Sequence, residues 1–159
     1  MTFEEIKKSY EIKKITKDEV ADLLKTRILD LEGAIKSISN EGEQIAHKEQ
    51  IERENISKDL DYTEYLEESE KIAKKSDFGK LIKKGFAHEQ EIRNCKIFLS
   101  DIELDTENAN LESLLNLLSE KQKTKQSSDI ELIKIKIDSL IEKRIHELNA
   151  IRESVKNIK

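Results

Sequence analysis

The sequence predicts an all-α fold, an elongated antiparallel helical bundle with coiled-coil character, built as a single helical domain over residues 1–159. Three observations carry this. The chain has no proline and 4 glycines, so the residues that punctuate strands and tight turns are scarce. Charged residues make up 40% and aromatics 4%, which together with plentiful Leu, Ile, Glu and Lys is the composition of long helices. Apolar residues recur at spacings of three and four, the helical period and not the alternation of a strand.

The elements follow in order. Thr2 with Glu5, Thr16 with Glu19, and Ser128 with Glu131 each fit a capping box, in which a hydroxyl accepts from a free first-turn amide and the Glu reaches back to the cap amide. A first helix is predicted over about Phe3–Lys14, with Phe3, Ile6 and Tyr10 on one face. A second begins near Lys17, and its Leu24, Ile28, Leu31, Ile35 and Ile38 keep a heptad rhythm. Ser39 to Gly42 is the best candidate break, although Ile45 would keep register if the helix ran on. Residues 43–74 read as a weakly amphipathic helix, and Ser76 to Gly79 as a turn. The next helix carries Phe78, Leu81, Ile82, Phe86, Ile92, Cys95, Phe98, Leu99 and Ile102. It is the stretch richest in large apolar side chains and the predicted centre of the core. Asp105 to Asn110 reads as a loop, Leu111 to Leu118 as a short leucine-dense helix, and Lys121 to Ser128 as a second loop. A long C-terminal helix is predicted at about 129–157. Its stripe runs through Ile130, Ile133, Ile137, Leu140, Ile141, Leu148, Ile151, Val155 and Ile158, with Arg144 interrupting and Ile145 beside it.

Charge divides the chain further. The net charge is -5, which argues against a general nucleic-acid binder. Residues 41–70 carry 11 acidic and 3 basic side chains and residues 71–100 carry 3 and 8. Residues 101–120 carry 6 acidic and no basic ones, and residues 121–159 carry 6 and 10. Blocks of alternating sign suit antiparallel neighbours, at ~0–1 kcal/mol for each exposed pair. Cys95 is the single cysteine, so no internal disulfide forms, and its apolar helical setting predicts a buried thiol. The charged N-terminus lacks the apolar run of a secretory signal, and no stretch has the ~18 apolar residues of a membrane span. The expected location is the cytoplasm, or export without a cleaved signal peptide.

Few motifs point to chemistry. Glu43 with His47, and Glu142 with His146, are four apart and close enough to share a metal, but read as surface pairs. Lys71, Lys74, Lys75, Lys80, Lys83 and Lys84 flank one turn and could meet phosphate, with aromatic interleaving limited to Phe78 and Phe86, both expected in the core. Glu4-Glu5, followed by Glu19-Val20-Ala21-Asp22, resembles over about 20 residues the carboxylate pattern of the all-α nucleotide pyrophosphohydrolases related to MazG. That resemblance implies Mg²⁺ held by paired acids on two packed helices, and hydrolysis of a nucleoside triphosphate. The composition is also similar to that of bacterial export-apparatus stalk proteins and their chaperones.

The function the sequence favours is a non-catalytic protein-interaction module: an adaptor, scaffold, secretion-associated chaperone or inhibitor, with no catalytic residue, cofactor or metal. The alternative is the Mg-dependent pyrophosphohydrolase. The expected partner is a protein, with a homodimer as the simplest case, no membrane role, and nucleic acid disfavoured. The expected interface is Ile137, Ile141, Leu148, Ile151 and Val155. Its warrant is length: a helix of roughly 40 Å outruns a compact bundle with a radius of gyration of ~15 Å.

Overall fold

The computed structural model describes residues 1–56 and 60–156, with backbone alone at Lys75 and Val155. Among them are six helices and no strand: α1 (Phe3–Glu11), α2 (Lys17–Glu54), α3 (Tyr62–Lys75), α4 (Phe78–Leu104), α5 (Leu111–Lys123) and α6 (Ser127–Lys156). The all-α antiparallel bundle is the fold observed. Its directions can be read from contacts. Lys17, at the start of α2, reaches Asp105 just beyond the end of α4, with Nζ and Oδ1 3.1 Å apart, and Lys25 reaches Glu103. Further along, Gly42 of α2 lies against Phe78, and Ile38 against Gly85. The α5–α6 hairpin is also antiparallel, with Lys121 paired to Asp129 across the turn.

The helix starts obey local chemistry. The Thr2–Glu5 box is closed, with the Thr2 amide donating to Glu5 at 2.7 Å. The Thr16 amide likewise donates to Glu19 at 2.8 Å. Asn110 caps α5 by accepting from the Ser113 amide. The Ser128–Glu131 box does not form. α6 begins one residue earlier than Ser128, and Glu131 is drawn away to Lys96 of α4. The helix ends are less conventional. Lys13 and Lys125 adopt φ 55° where glycine is usual. Each completes a Schellman motif, with Lys14 donating to the Ser9 carbonyl and Gln126 to that of Lys121.

Several expected boundaries move. α1 stops at Glu11, three residues short of Lys14, because the left-handed turn at Lys13 ends it. α2 runs through the expected break at Gly42. This glycine is buried in the helix, and a Cβ there would sit 3.4 Å from the Phe78 ring. Glycine costs ~1 kcal/mol in a helix, and this one packs directly beneath an aromatic ring. Residues 43–74 are the end of α2 and a separate α3. Asp61 starts α3 with a capping box to Glu64, an Asp-x-x-Glu signal as plain as the threonine boxes. The second predicted loop shortens to Thr124–Gln126. The predicted end of the last helix, Asn157, and the stripe residue Ile158 lie outside the described residues.

The chain comprises two compact units: unit 1, Met1–Ile28 with Ile92–Lys159, and unit 2, Leu29–Glu91. Unit 1 holds two apolar clusters. In the first, Val20 and Leu24 of α2 meet Cys95 and Leu99 of α4, with Ile6 of α1 and Leu132 of α6 closing it. Phe98 stacks edge-on against Phe3 and Tyr10, with centroids 6.0 and 5.9 Å apart. In the second, Leu114 of α5 packs on Ile133 and Ile137 of α6. Unit 2 is thinner: among its described side chains only Leu31 is buried, together with Gly42. α4 is therefore central to the core only in its second half. Phe86, expected there with Phe98, is 65% exposed, and Phe78 and Ile82 are also exposed.

Candidate protein-interaction surface

The apolar stripe of α6 has two fates. Ile133 and Ile137 are buried under α5. From Ile141 to Ser154 every side chain is exposed, although the apolar spacing continues. Ile141 is 42% exposed, Ile145 51%, Leu148 52% and Ile151 57%. Of the predicted interface, Ile137 thus belongs to the chain's own core. Ile141, Leu148 and Ile151 form an exposed line, and the side chain of Val155 lies outside the description. Ile145 joins the line where Arg144 turns aside to Glu147 at 3.0 Å. α5 ends the coverage because it has 13 residues against 30 in α6.

A second apolar surface was not singled out by the sequence. Between α2 and α4 of unit 2 runs an open groove of about 410 Å³. Ile35 and Ile38 form one wall, and Phe78, Ile82 and Phe86 the other. Gly42 and Gly85 also line it, with the Phe78 ring lying over Gly42 and Ile38 facing Gly85. Its lining carries two charged residues, Glu43 and Glu89. The signal for it was the pairing of small residues with heptad neighbours on α2, legible only once α4 is known to lie opposite.

Several of the residues with possible chemistry have partners nearby. Glu5 and Glu19 close capping boxes, and hydrogen bonds from Thr2 and Thr16, the backbone amides foremost, hold both carboxyls below the ordinary glutamate range. Glu142 pairs with Arg93 of α4 at 2.7 Å and not with His146. Lys71, Lys74 and Lys80 pair with Glu68, Glu70 and Asp77 beside them. The side chain of Lys75 is outside the description. Cys95 is fully buried. Among the described residues, no three His, Cys, Asp or Glu side chains stand together closely enough to hold a metal ion, and no helix is long and apolar enough to cross a membrane.

One polar cluster is buried. Asp101 of α4 accepts from Lys136 of α6 at 2.6 Å and from the Thr106 hydroxyl at 2.9 Å, and Ser100 bonds Thr106 at 2.8 Å. This joins the end of α4, the following loop and α6. It satisfies its own groups, so it reads as an alignment device for the core. The signal in the sequence is slight: Lys136 stands between two isoleucines beside the apolar stripe.

No protein-family model matches the chain, and no curated protein and no solved structure is significantly similar to it.

Proposed function

We propose that this chain is a non-catalytic protein-interaction module, of the adaptor, scaffold, chaperone or inhibitor kind, which recognises a protein partner through the second half of α6. The observation that supports this is the uncovered line of Ile141, Ile145, Leu148 and Ile151, on a helix whose first half is buried. An amphipathic helix with such anchors lays them into an apolar groove, and its flanking charges set register. Arg144, Glu147 and Arg152 border the line.

The test is capture with the immobilised full chain beside a Leu148→Asp/Ile151→Asp variant. A partner that binds the first and not the second, and whose affinity is then measured with purified components, is the expected result. Equal capture by both would remove α6 from the reading. A parallel assay with Mg²⁺ or Mn²⁺ and nucleoside triphosphates is expected to show no hydrolysis. Turnover abolished in Glu19→Gln and Asp22→Asn variants would return the chain to the pyrophosphohydrolase class.

A further inference from the structure

We infer that the groove between α2 and α4 in unit 2 is a receiving site for a helix, and that its occupant is the second half of α6 from another copy of this chain. The inference rests on the reading of α6 as an interaction face and names its partner.

Three properties of the two surfaces agree. The first is chemistry. The groove offers aliphatic and aromatic walls, with Phe86 and Ile82 exposed. The α6 line offers branched aliphatic side chains of the size that fills such a space. Its two glycines let α2 and α4 approach each other, with the Phe78 ring over Gly42 and Ile38 beside Gly85, so the walls that meet a partner are apolar side chains.

The second is length. Ile141 to Ile151 spans ten helical steps, or about 15 Å at ~1.5 Å per residue. The groove runs from Ile35 to Ala46 on one helix and from Phe78 to Glu89 on the other, eleven steps each, or about 16 Å. The line on α6 neither overhangs the groove nor leaves much of it empty.

The third is charge. Both charged residues of the lining are acidic. Because α2 and α4 are antiparallel, with Gly42 opposite Phe78, Glu43 stands near one end of the groove and Glu89 near the other. The α6 line carries arginines toward its two ends, Arg152 and Arg144, the latter exchanging its exposed pair with Glu147 for the groove's carboxylate. These lie eight residues apart, or about 12 Å, and long arginine side chains span the remaining difference. A seated α6 would pair a cation with each acidic end. Association between copies is most often closed by a two-fold axis, in which case the contact would occur twice. That doubling would bring a narrow helix contact toward the area of a stable interface.

The experiment uses complementation between two full-length variants in sedimentation velocity, with circular dichroism as a folding control. Gly85→Leu fills the groove. A Cβ at that position would lie 3.9 Å from Ile38, an ordinary contact, and circular dichroism reports whether the rest of the leucine is accommodated. Ile151→Asp spoils the α6 line. Wild type is expected to self-associate, and each variant alone to associate roughly 30-fold or more weakly, the loss of one anchor residue. An equimolar mixture of the two should recover association, because the intact groove of one accepts the intact α6 of the other.

If Gly85→Leu associates like wild type while Ile151→Asp does not, the groove is not the receptor and this inference fails, with the α6 reading intact. A wild type that stays monomeric at high concentration also overturns the inference, and leaves the α6 reading to the capture test above. Where either variant loses helicity, charge reversal replaces it. Glu43→Lys/Glu89→Lys should weaken association, and mixing with Arg144→Glu/Arg152→Glu should restore it. Failure of that rescue overturns the pairing.

Discussion

Unit 1 and unit 2 are built from parts of the same two antiparallel helices, α2 and α4, yet they are packed very differently. In unit 1, α1, α5 and α6 supply further layers. Leu24, Cys95, Leu114 and Ile133 are completely or almost completely buried there. The ion pairs Lys17–Asp105, Lys25–Glu103, Lys96–Glu131 and Lys136–Asp101 tie separate elements together. In unit 2 the described residues add α3, and there the ion pairs Lys48–Glu52 of α2 and Lys71–Glu68 and Lys74–Glu70 of α3 lie within single helices. Two helices bury one stripe each, and a third and fourth layer are needed before side chains are enclosed on all sides. The difference teaches where to look for stability, in the enclosed part of unit 1, while the exposed apolar residues of unit 2 and of the far end of α6 are where the proposed recognition is to be tested.

The contrast can be broken most directly by truncating one apolar residue in each unit. Leu24→Ala should cost ~2–5 kcal/mol, the range for a buried leucine. Phe86→Ala should cost less than ~0.5 kcal/mol at protein concentrations low enough to exclude association, as surface changes do. Urea titrations compare them, and equal losses would mean that unit 2 is as enclosed as unit 1.

Next in size is the buried cluster of unit 1. Asp101→Ala leaves the Lys136 ammonium without its carboxylate. The side chains retain 15% and 11% exposure, so the loss should fall below the ~3–5 kcal/mol of a fully buried pair, at about 2–3 kcal/mol. Asp101→Leu/Lys136→Met should recover most of it by thermal unfolding. Failure to recover would show that the ion pair contributes more than alignment.

A smaller effect separates the units by their opening. Amides of α3 should exchange with solvent faster than those of α4 in unit 1, because exchange follows local burial. Asp61→Ala, which removes the α3 cap at a cost of ~1 kcal/mol, should speed exchange in α3 without lowering the main unfolding midpoint. A matching fall in that midpoint would mean the two units unfold as one.

The smallest concerns the turns of unit 1. Lys13 and Lys125 hold a left-handed conformation that costs a non-glycine residue ~1 kcal/mol or more. Lys13→Gly and Lys125→Gly should each raise stability by about 0.5–1 kcal/mol, offset in part by the entropy of glycine. Melting curves shifted downward would mean that these lysines make contacts worth more than the strain.

These same turns show why helix ends were harder to read than helix starts. A capping box is written in residue types three apart, so the Thr2 and Thr16 boxes were legible and form. The Asp61 box was written as clearly. The stops at Lys13 and Lys125 use residues with no turn signature, whereas Asp105 is a residue that tolerates the left-handed region, and the four glycines all lie inside helices at negative φ. Gly42, read as a break, is instead a contact position whose reason sits 36 residues away at Phe78.

By itself the sequence determined the helical class, the starts of α1 and α2 and the burial of Cys95. Each depends on composition or on spacing within one segment, which local backbone physics converts into structure. Tertiary structure decided which apolar stripes are covered. Phe86 and Phe98 have the same side chain on the same helix, and Ile133 and Ile151 the same on another. Phe98 is partly buried against α1 and Ile133 is fully buried under α5, while Phe86 and Ile151 are exposed, because burial depends on which element lies opposite. Periodicity marks a face as able to bury itself; only the neighbouring elements determine whether it does.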